Sequence, residues 1–339
     1  MRFSIMRKNY PNQMMVFPDA ADRNLSPWNP EDFPEPGMND TPVVRFRSYA
    51  KINWYLHILG LRSDGYHDID SLVQLISLHD EIEISPSDSV DRIICNYKIP
   101  TGKNSLLIRA LNGLRERNPI LRRQHFSIRI RKSIPPCGGL GGGSSNVAGL
   151  LCVFSRFYPS QYALSDLSEH ASTLGSDVPF FASGYSVARM QGRGEKLSPV
   201  HPGPERFLVL AFPEFGVPTK WAYREWDRRN RQYPHPGGLP TEVHALLNAG
   251  GSPNILELIR NDFEDVVFSH YPALLTLKQI MIDEGCHHAF MSGSGSTLVG
   301  VAGNDEQAQE IAESLRNRGF QALPVSTRLP ESEPKNTID

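Results

Sequence analysis

Residues 135–146 read P-P-C-G-G-L-G-G-G-S-S-N, which places five glycines within six positions between a strand-like run and a helix-like one. The preceding run, F-S-I-R-I-R at 126–131, sets Phe126, Ile128 and Ile130 on one face of a strand and Arg129 and Arg131 on a solvated one. The following run, 146–158, carries Val147, Leu150, Leu151 and Phe154 at helical spacing. Strand, glycine loop and helix in that order let backbone N–H groups converge on an anion at a helix N-terminus, where the helix dipole also favours negative charge. The pattern predicts a phosphate site. A flexible linker would share the composition, but nothing about a linker requires a proline-ended strand on one side and a helix on the other.

Known phosphate and nucleophile loops are tested by counting. A dinucleotide fingerprint begun at Gly139 meets Gly141 but then finds Ser144 where its last glycine belongs. A P-loop begun at Gly138 meets Gly143 but has Ser144 in place of its lysine. The G-x-S-x-G elbow fails at Ser145, which is followed by Asn146 and Val147, and at Ser294, which has Ser292 two residues before it. What survives is anion binding by backbone without the usual loop lysine. The cation must come from elsewhere in the chain, and Lys51 is the candidate.

Composition narrows the partner. The 339 residues are 40% apolar, enough for two domains. With 35 basic and 37 acidic side chains the net charge is −2, so no overall field draws nucleic acid or an anionic membrane, and a small molecule is expected. No apolar run approaches membrane-spanning length, the most continuous being 207–212. Cysteines 95, 137, 152 and 286 show no CxxC spacing, so a reducing, cytoplasmic setting fits. Residues 1–42 hold seven prolines and no periodicity; they read as a disordered extension without a secretory segment, and 326–339 as a flexible tail.

The remaining elements are mixed without regular alternation, which favours α+β. Two strand stretches are expected around Val44, Phe46 and Trp54, Leu56, Ile58, broken near 50–52, with a turn at Asp64-Gly65. Further strands are expected at 80–84, 92–95, 186–190, 207–212, 289–291, 297–301 and 321–325, and helices at 107–114, from Thr219, at 273–284 and at 305–316. A Pro/Gly-rich break lies around 233–240, and a second glycine loop, S-G-S-G-S, at 292–296.

The first glycine loop resembles the second motif of the GHMP kinases, the family of galactokinase, homoserine kinase and mevalonate kinase. S-Y-A-K-I-N at 48–53, D-G-Y-H at 64–67, L-G-S-D-V-P-F-F at 174–181, N-D-F-E at 261–264 and M-S-G-S-G-S at 291–296 resemble one branch of that family in the same order, over about 43–325. The resemblance implies an N-terminal unit at 43–200 like the second domain of ribosomal protein S5, carrying the phosphate loop, and a ferredoxin-like C-terminal unit at 201–325. It implies ATP-dependent phosphorylation of a cytidine-diphosphate-linked methylerythritol by a monomer or weak homodimer. Asp177 is then the base and Lys51 its electrostatic partner. Pro135, Gly138, Gly139, Leu140, Gly141, Gly142, Gly143, Ser144 and Ser145, supported by Gly293, Ser294 and Gly295, are implied to hold ATP. Asn53, Tyr66 and His67 are implied to recognise cytidine, with Thr219 near the substrate. Mg²⁺ is implied with ATP, its protein ligands unnamed beyond the Ser144 or Ser145 hydroxyls.

Taken without the resemblance, Asp177 before Val178-Pro179 reads as a helix-start aspartate and D-G-Y-H as a turn. A mevalonate- or homoserine-type kinase and a non-catalytic nucleotide-binding protein remain as alternatives. Tyr49, Trp54 and Cys137 depart from the family pattern, standing where proline, leucine and glycine are common. Because a proline-rich segment without apolar periodicity cannot contribute to a core, deletion of residues 1–40 is expected to leave activity and thermal midpoint nearly unchanged, as an activity assay and a melting curve would show.

Overall fold

The computed structural model describes residues 43–102, 104–158, 164–230 and 255–329; the expected extension, the break at 233–240 and most of the expected tail lie outside these. Alternating apolar residues build one long hairpin from β1 (Val44–Leu61) and β2 (His67–Ser87), closed by a turn in which Gly65 takes φ +80°. After β3 (Arg92–Cys95) come α1 (Leu106–Arg117), β4 (His125–Arg131) and α2 (Gly142–Phe157). Helices α3 (Leu164–Leu174) and α4 (Val178–Ala182) then lead to β5 (Val187–Gly192) and β6 (Lys196–Pro199).

The second half begins with β7 (Phe207–Phe212) and α5 (Thr219–Asn230). It continues through the short β8 (Arg260–Asn261), α6 (Glu264–His270), α7 (Pro272–Asp283), β9 (His288–Met291), β10 (Leu298–Ala302), α8 (Asp305–Asn317) and β11 (Gln321–Ser326).

Among the described residues there are two sheets. The first has seven strands in the order β3-β4-β2-β1-β8, with β5 on the same edge of β2 as β4 and β6 beyond it. The second has four, in the order β11-β7-β10-β9. The fold is α+β, as expected. β8 pairs with β1 at Tyr55↔Arg260 and Leu56↔Asn261, so the chain returns to the first sheet after passing residue 200. At the other end, residues 326–329 do not hang free: Thr327 N–H donates to the Arg206 carbonyl at 3.0 Å, and Leu329 packs on the first core.

Three cores follow from strand alternation. Val44, Phe46, Ile82, Ile84, Ile128 and Ile130 lie under α1 and α2. Val209 and Ala211 of β7 face α7 and α8, packing with Leu274, Leu277 and Leu315. The intervening residues Leu208 and Leu210 join Phe290, Val299 and Val301 against Ala50, Ile52, Trp54 and Leu72 of the first sheet. Burying such side chains is worth about 1.5–3 kcal/mol each, so this third core fixes one sheet against the other.

The expected break near 50–52 is a change of phase inside one strand. Pairing shifts between Tyr49 and Ala50, after which Ala50, Ile52 and Trp54 face the second sheet while Val44 and Phe46 face the helices. The apolar residues keep to even positions across the shift, interrupted only by the polar Ser48, and the strand continues. The shift also turns Lys51 and Asn53 toward the glycine loop.

α2 starts four residues before the expected 146, because its first turn is made of glycine and serine and carries no apolar signal. Its start is held by a buried carboxylate. Asp80 of β2, with no exposure, accepts from Lys132 Nζ (2.5 Å), Asn146 Nδ2 (2.9 Å), Ser133 N–H (2.8 Å) and Ile134 N–H (2.9 Å). Replacing Asp80 with alanine leaves the buried Lys132 ammonium without its counter-ion and two backbone donors without an acceptor. Asp80→Ala is expected to cost about 3–5 kcal/mol of folding free energy, measurable by denaturant titration.

Candidate active site

The glycine loop ends in a helix start that is open to an anion. Gly141 precedes α2 with φ +71°, no acidic residue occupies the first turn, and Ser145 N–H is the first to bond back, to the Gly141 carbonyl at 2.9 Å. The N–H groups of Gly142, Gly143 and Ser144 thus have no partner within the helix. A Cβ on Gly143 would meet nothing within 4 Å, whereas one on Gly142 would strike Ile134 Cγ2 at 2.8 Å. A Cβ on Gly141 would press Phe181 at 2.8 Å and Lys51 Cε at 3.2 Å. Lys51 therefore lies against the loop itself, and its own N–H donates to the Leu140 carbonyl at 3.0 Å. The cation that the loop lacks is delivered from β1.

The two expected loop hydroxyls differ. Ser145 is buried, and its Oγ receives a hydrogen bond from Ser48 Oγ at 2.7 Å, so it points into the protein and away from any phosphate. Ser144 keeps partial exposure. Leu140 buries its side chain completely and offers only backbone.

The second glycine turn clamps the first from the other domain. A Cβ on Gly139 would stand 2.0 Å from the Ser292 carbonyl oxygen, so the two backbones touch. Ser292 Oγ donates to the Gly139 carbonyl (3.1 Å) and Thr297 N–H to that of Gly138 (3.3 Å). Asn261 Nδ2 donates to the carbonyls of Met291 and Gly293, both at 2.7 Å, and Glu264 Oε1 accepts from Met291 N–H at 2.8 Å. The N-D-F-E run is thus the support of this turn.

At the meeting point Lys51 Nζ lies 3.6 Å from Asp177 Oδ2 and 2.5 Å from Asn53 Oδ1. The lysine side chain is 4% exposed and the aspartate 30%, so the ammonium is fixed while the carboxylate faces the opening. Asp177 does stand at the helix start, as the N-cap residue of α4, but makes no side-chain capping bond, so its carboxylate is not taken up by the helix. Asn53 Nδ2 donates to Ser71 Oγ at 2.8 Å, and Ser71 Oγ to the Tyr55 carbonyl at 2.6 Å, which fixes the amide with its oxygen toward Lys51.

The three residues expected to recognise cytidine do not share one place. Asn53 pairs opposite Val73, six positions along β2 from His67 and so about 20 Å away. Adjacent motifs in the sequence are here opposite ends of a hairpin. Tyr66 is 53% exposed, with the Arg193 guanidinium 4.4 Å over its ring. His67 stacks on Tyr223 at 4.4 Å, meets Trp226 edge-on at 5.9 Å and bonds through Nε2 to Asp227 Oδ1 at 2.8 Å.

Helix α5 connects these ends. Thr219, Tyr223 and Asp227 recur every four residues and share one stripe, while Ala222 and Trp226 enter the core. Thr219 Oγ1 and Ser294 Oγ share a hydrogen bond of 2.9 Å at one end of the stripe, and Asp227 meets His67 at the other. Between them, burial and, to a lesser degree, the charge of Asp177 push the Tyr223 hydroxyl above its ordinary pKa. Motif reading misses Tyr223 and Asp227; their four-residue spacing from Thr219 is the signal that would have found them.

Two family models match the chain, GHMP kinases N terminal domain over residues 105–185 and GHMP kinases C terminal over 243–321. The 4-diphosphocytidyl-2-C-methyl-D-erythritol kinase of Prosthecochloris aestuarii is 37% identical over 273 residues, covering 80% of this chain and 93% of that protein. The chain belongs to the 4-diphosphocytidyl-2-C-methyl-D-erythritol kinase family. The Moorella thermoacetica member is 35% identical, over 81% of this chain and 95% of its own. A crystal structure of a 4-(cytidine 5'-diphospho)-2C-methyl-D-erythritol kinase superposes with TM-score 0.68 at 31% identity, covering 84% of this chain and 98% of that one. L. major mevalonate kinase, at TM-score 0.62 and 16% identity over 88% of this chain and all of its own, shares the fold.

The departures from the family pattern have local explanations. Trp54 fills the core between the sheets, packing on Phe290 at 5.4 Å and satisfying its Nε1–H on Gln74 Oε1 at 2.7 Å. Cys137 takes φ +58°, the one non-glycine in left-handed backbone among the described residues, a conformation that would favour the glycine expected there. Tyr49 sits at the register shift, its ring edge-on to His79 at 5.4 Å.

The contrast between two loop glycines is testable. Gly139→Ala, at φ +79° and against the Ser292 carbonyl, is expected to separate the two turns and lower stability, whereas Gly143→Ala should fold normally and weaken nucleotide binding alone. Denaturation curves alongside ATP titrations would check both.

Proposed function

We propose that this chain transfers the γ-phosphoryl group of ATP to the 2-hydroxyl of 4-diphosphocytidyl-2-C-methyl-D-erythritol, as in the non-mevalonate route to isoprenoid precursors. The observation that carries the reading is the Lys51–Asp177 pair, 3.6 Å apart, set against a glycine loop that supplies backbone donors and no charge of its own. Phosphoryl transfer asks a protein mainly for positioning and charge stabilisation, with a base to take the hydroxyl proton. Asp177, the more exposed partner, takes that proton on a carboxylate oxygen. Lys51 stays protonated, steadies the developing alkoxide and offsets charge on the transferring group.

The loop N–H groups of Gly142, Gly143 and Ser144 hold phosphate oxygens, and the open space over Gly143 is where the nucleotide approaches the backbone. Gly293 and Ser294 serve by holding the loop and Thr219 in place. Asn53 serves the alcohol end, through Lys51, and Tyr66 with His67 the pyrimidine end. Mg²⁺ bound with ATP would neutralise phosphoryl oxygens. Among the described residues no three His, Cys, Asp or Glu converge as a metal cage, which suits an ion held largely by phosphate and water with Ser144 as its hydroxyl contact.

No helix among the described residues is long and apolar enough to cross a membrane, and the net charge of −2 accords with a small-molecule partner. Purified protein incubated with ATP and each candidate alcohol should phosphorylate the cytidine-linked one; turnover of mevalonate or homoserine instead would overturn the substrate. Asp177→Asn and Lys51→Met are each expected to lower kcat by about 10²- to 10⁴-fold, and turnover within a few-fold of wild type would remove the mechanism.

A further inference from the structure

The hydrogen-bonded histidine at the far end of the hairpin carries a second consequence, which rests on the reading of Tyr66 and His67 as the pyrimidine-binding end. We propose that Asp227 is a positioning residue that fixes the tautomer of His67, and that this tautomer makes the site select a cytosine over a uracil base.

The ring of His67 has little freedom. It is 8% exposed, stacked on Tyr223 with the planes 20° apart, and held edge-on by Trp226 at 90°. Its Nε2 lies 2.8 Å from Asp227 Oδ1, and that aspartate is itself only 20% exposed. An ionised carboxylate only accepts, so the proton of the neutral ring resides on Nε2. Nδ1 is then an acceptor. Among the described residues no hydrogen bond reaches Nδ1, and it is not sealed from solvent.

An acceptor presented to a pyrimidine edge distinguishes the two bases. Cytosine offers its 4-amino group, a donor, where a uracil-type base offers a carbonyl oxygen. Acceptor would face acceptor with the wrong base, and a site built to bond one polar group rejects the analogue lacking it more strongly than a shape mismatch does. Asp227 touches neither base nor phosphate in this scheme. It acts through His67, and it reaches His67 because α5 carries it two turns beyond Thr219 on the same stripe.

The test uses the full-length chain. Steady-state kinetics with the cytidine-linked alcohol and its uridine-linked counterpart would be compared for wild type, Asp227→Asn, Asp227→Glu and His67→Ala. In Asp227→Asn the amide that replaces the carboxylate can donate to Nε2 and so permits the other tautomer. That variant is expected to reduce the cytidine-over-uridine preference in kcat/KM about 10-fold or more, chiefly through KM for the cytidine-linked alcohol, with KM for ATP and kcat little changed. Asp227→Glu, which keeps the carboxylate, should recover part of the preference. Nitrogen-15 spectra of histidine-labelled protein should show His67 protonated on Nε2 in wild type and a shifted population in Asp227→Asn.

An unchanged preference in Asp227→Asn, or a wild-type His67 protonated on Nδ1, would overturn the proposal. If Asp227→Asn does not fold, the wild-type spectrum still decides. His67→Ala separates the two levels. If it leaves KM for the cytidine-linked alcohol unchanged, the pyrimidine-end reading itself fails; if it raises KM while Asp227→Asn does nothing, only the tautomer role falls.

Discussion

A single buried charge fixes the geometry on which everything else in the site depends. The Asp80 carboxylate binds the chain just before the glycine loop, through Ser133 and Ile134, and just after it, through Asn146 in the first turns of α2. Five glycines in six residues cost far more backbone entropy to order than an ordinary run of that length, so the loop needs fixed ends to hold one shape. The same strand that carries Asp80 pairs with β1 at Lys51↔Leu75. The sheet thereby sets the distance between the loop and the lysine that serves it. A P-loop carries its cation with it; here the cation and the loop are separate pieces, and their register is a property of the β1–β2 hairpin.

The second domain completes this arrangement from outside. Leu208, Leu210, Phe290, Val299 and Val301 bury against the first sheet, and the Gly139–Ser292 backbone contact joins the same two halves of the chain. The apolar contact holds the domains, and the close glycine contact uses that rigidity to hold the phosphate loop. Helix α5 takes the opposite role, reaching from Ser294 at one end to His67 at the other and tying the two ends of the proposed substrate site to one rigid rod. The Asn53 and His67 ends, about 20 Å apart along the hairpin, are thereby kept in register.

Much of this is legible in the sequence, and the failures have physical causes. Strand alternation locates β4, short apolar runs locate β7 and β10, and the glycine loop stands out together with its missing lysine. The apparent break at 50–52 is a change of face and not of parity: the apolar residues stay at even positions, but after the register shift they meet the second sheet instead of the helices, which a period-2 template cannot show. Asn53 groups with Tyr66 and His67 only in motif order, which says nothing about the length of strand between them. Ser144 and Ser145 look alike in sequence, yet successive helix positions point about 100° apart, and one faces Ser48 while the other keeps its exposure. Tyr223 and Asp227 lie on a helix expected only by its start at Thr219, and only the position of β2 brings that stripe against His67.

The asymmetry of the reactive pair is the last thing the fold determines. Burying an ammonium is costly unless it is paired and hydrogen-bonded, and Lys51, at 4% exposure, has the Asn53 amide oxygen at 2.5 Å and the Asp177 carboxylate at 3.6 Å. The nearer partner is neutral and is itself held by Ser71. The charged partner is farther away and more exposed. Asn53 therefore bears the geometric task of fixing the ammonium, which leaves the Asp177 carboxylate an oxygen without a hydrogen bond among the described residues, as its proposed role as base requires. Had the lysine been held by Asp177 alone at hydrogen-bond distance, the same ion pair would be a better structural contact and a poorer base.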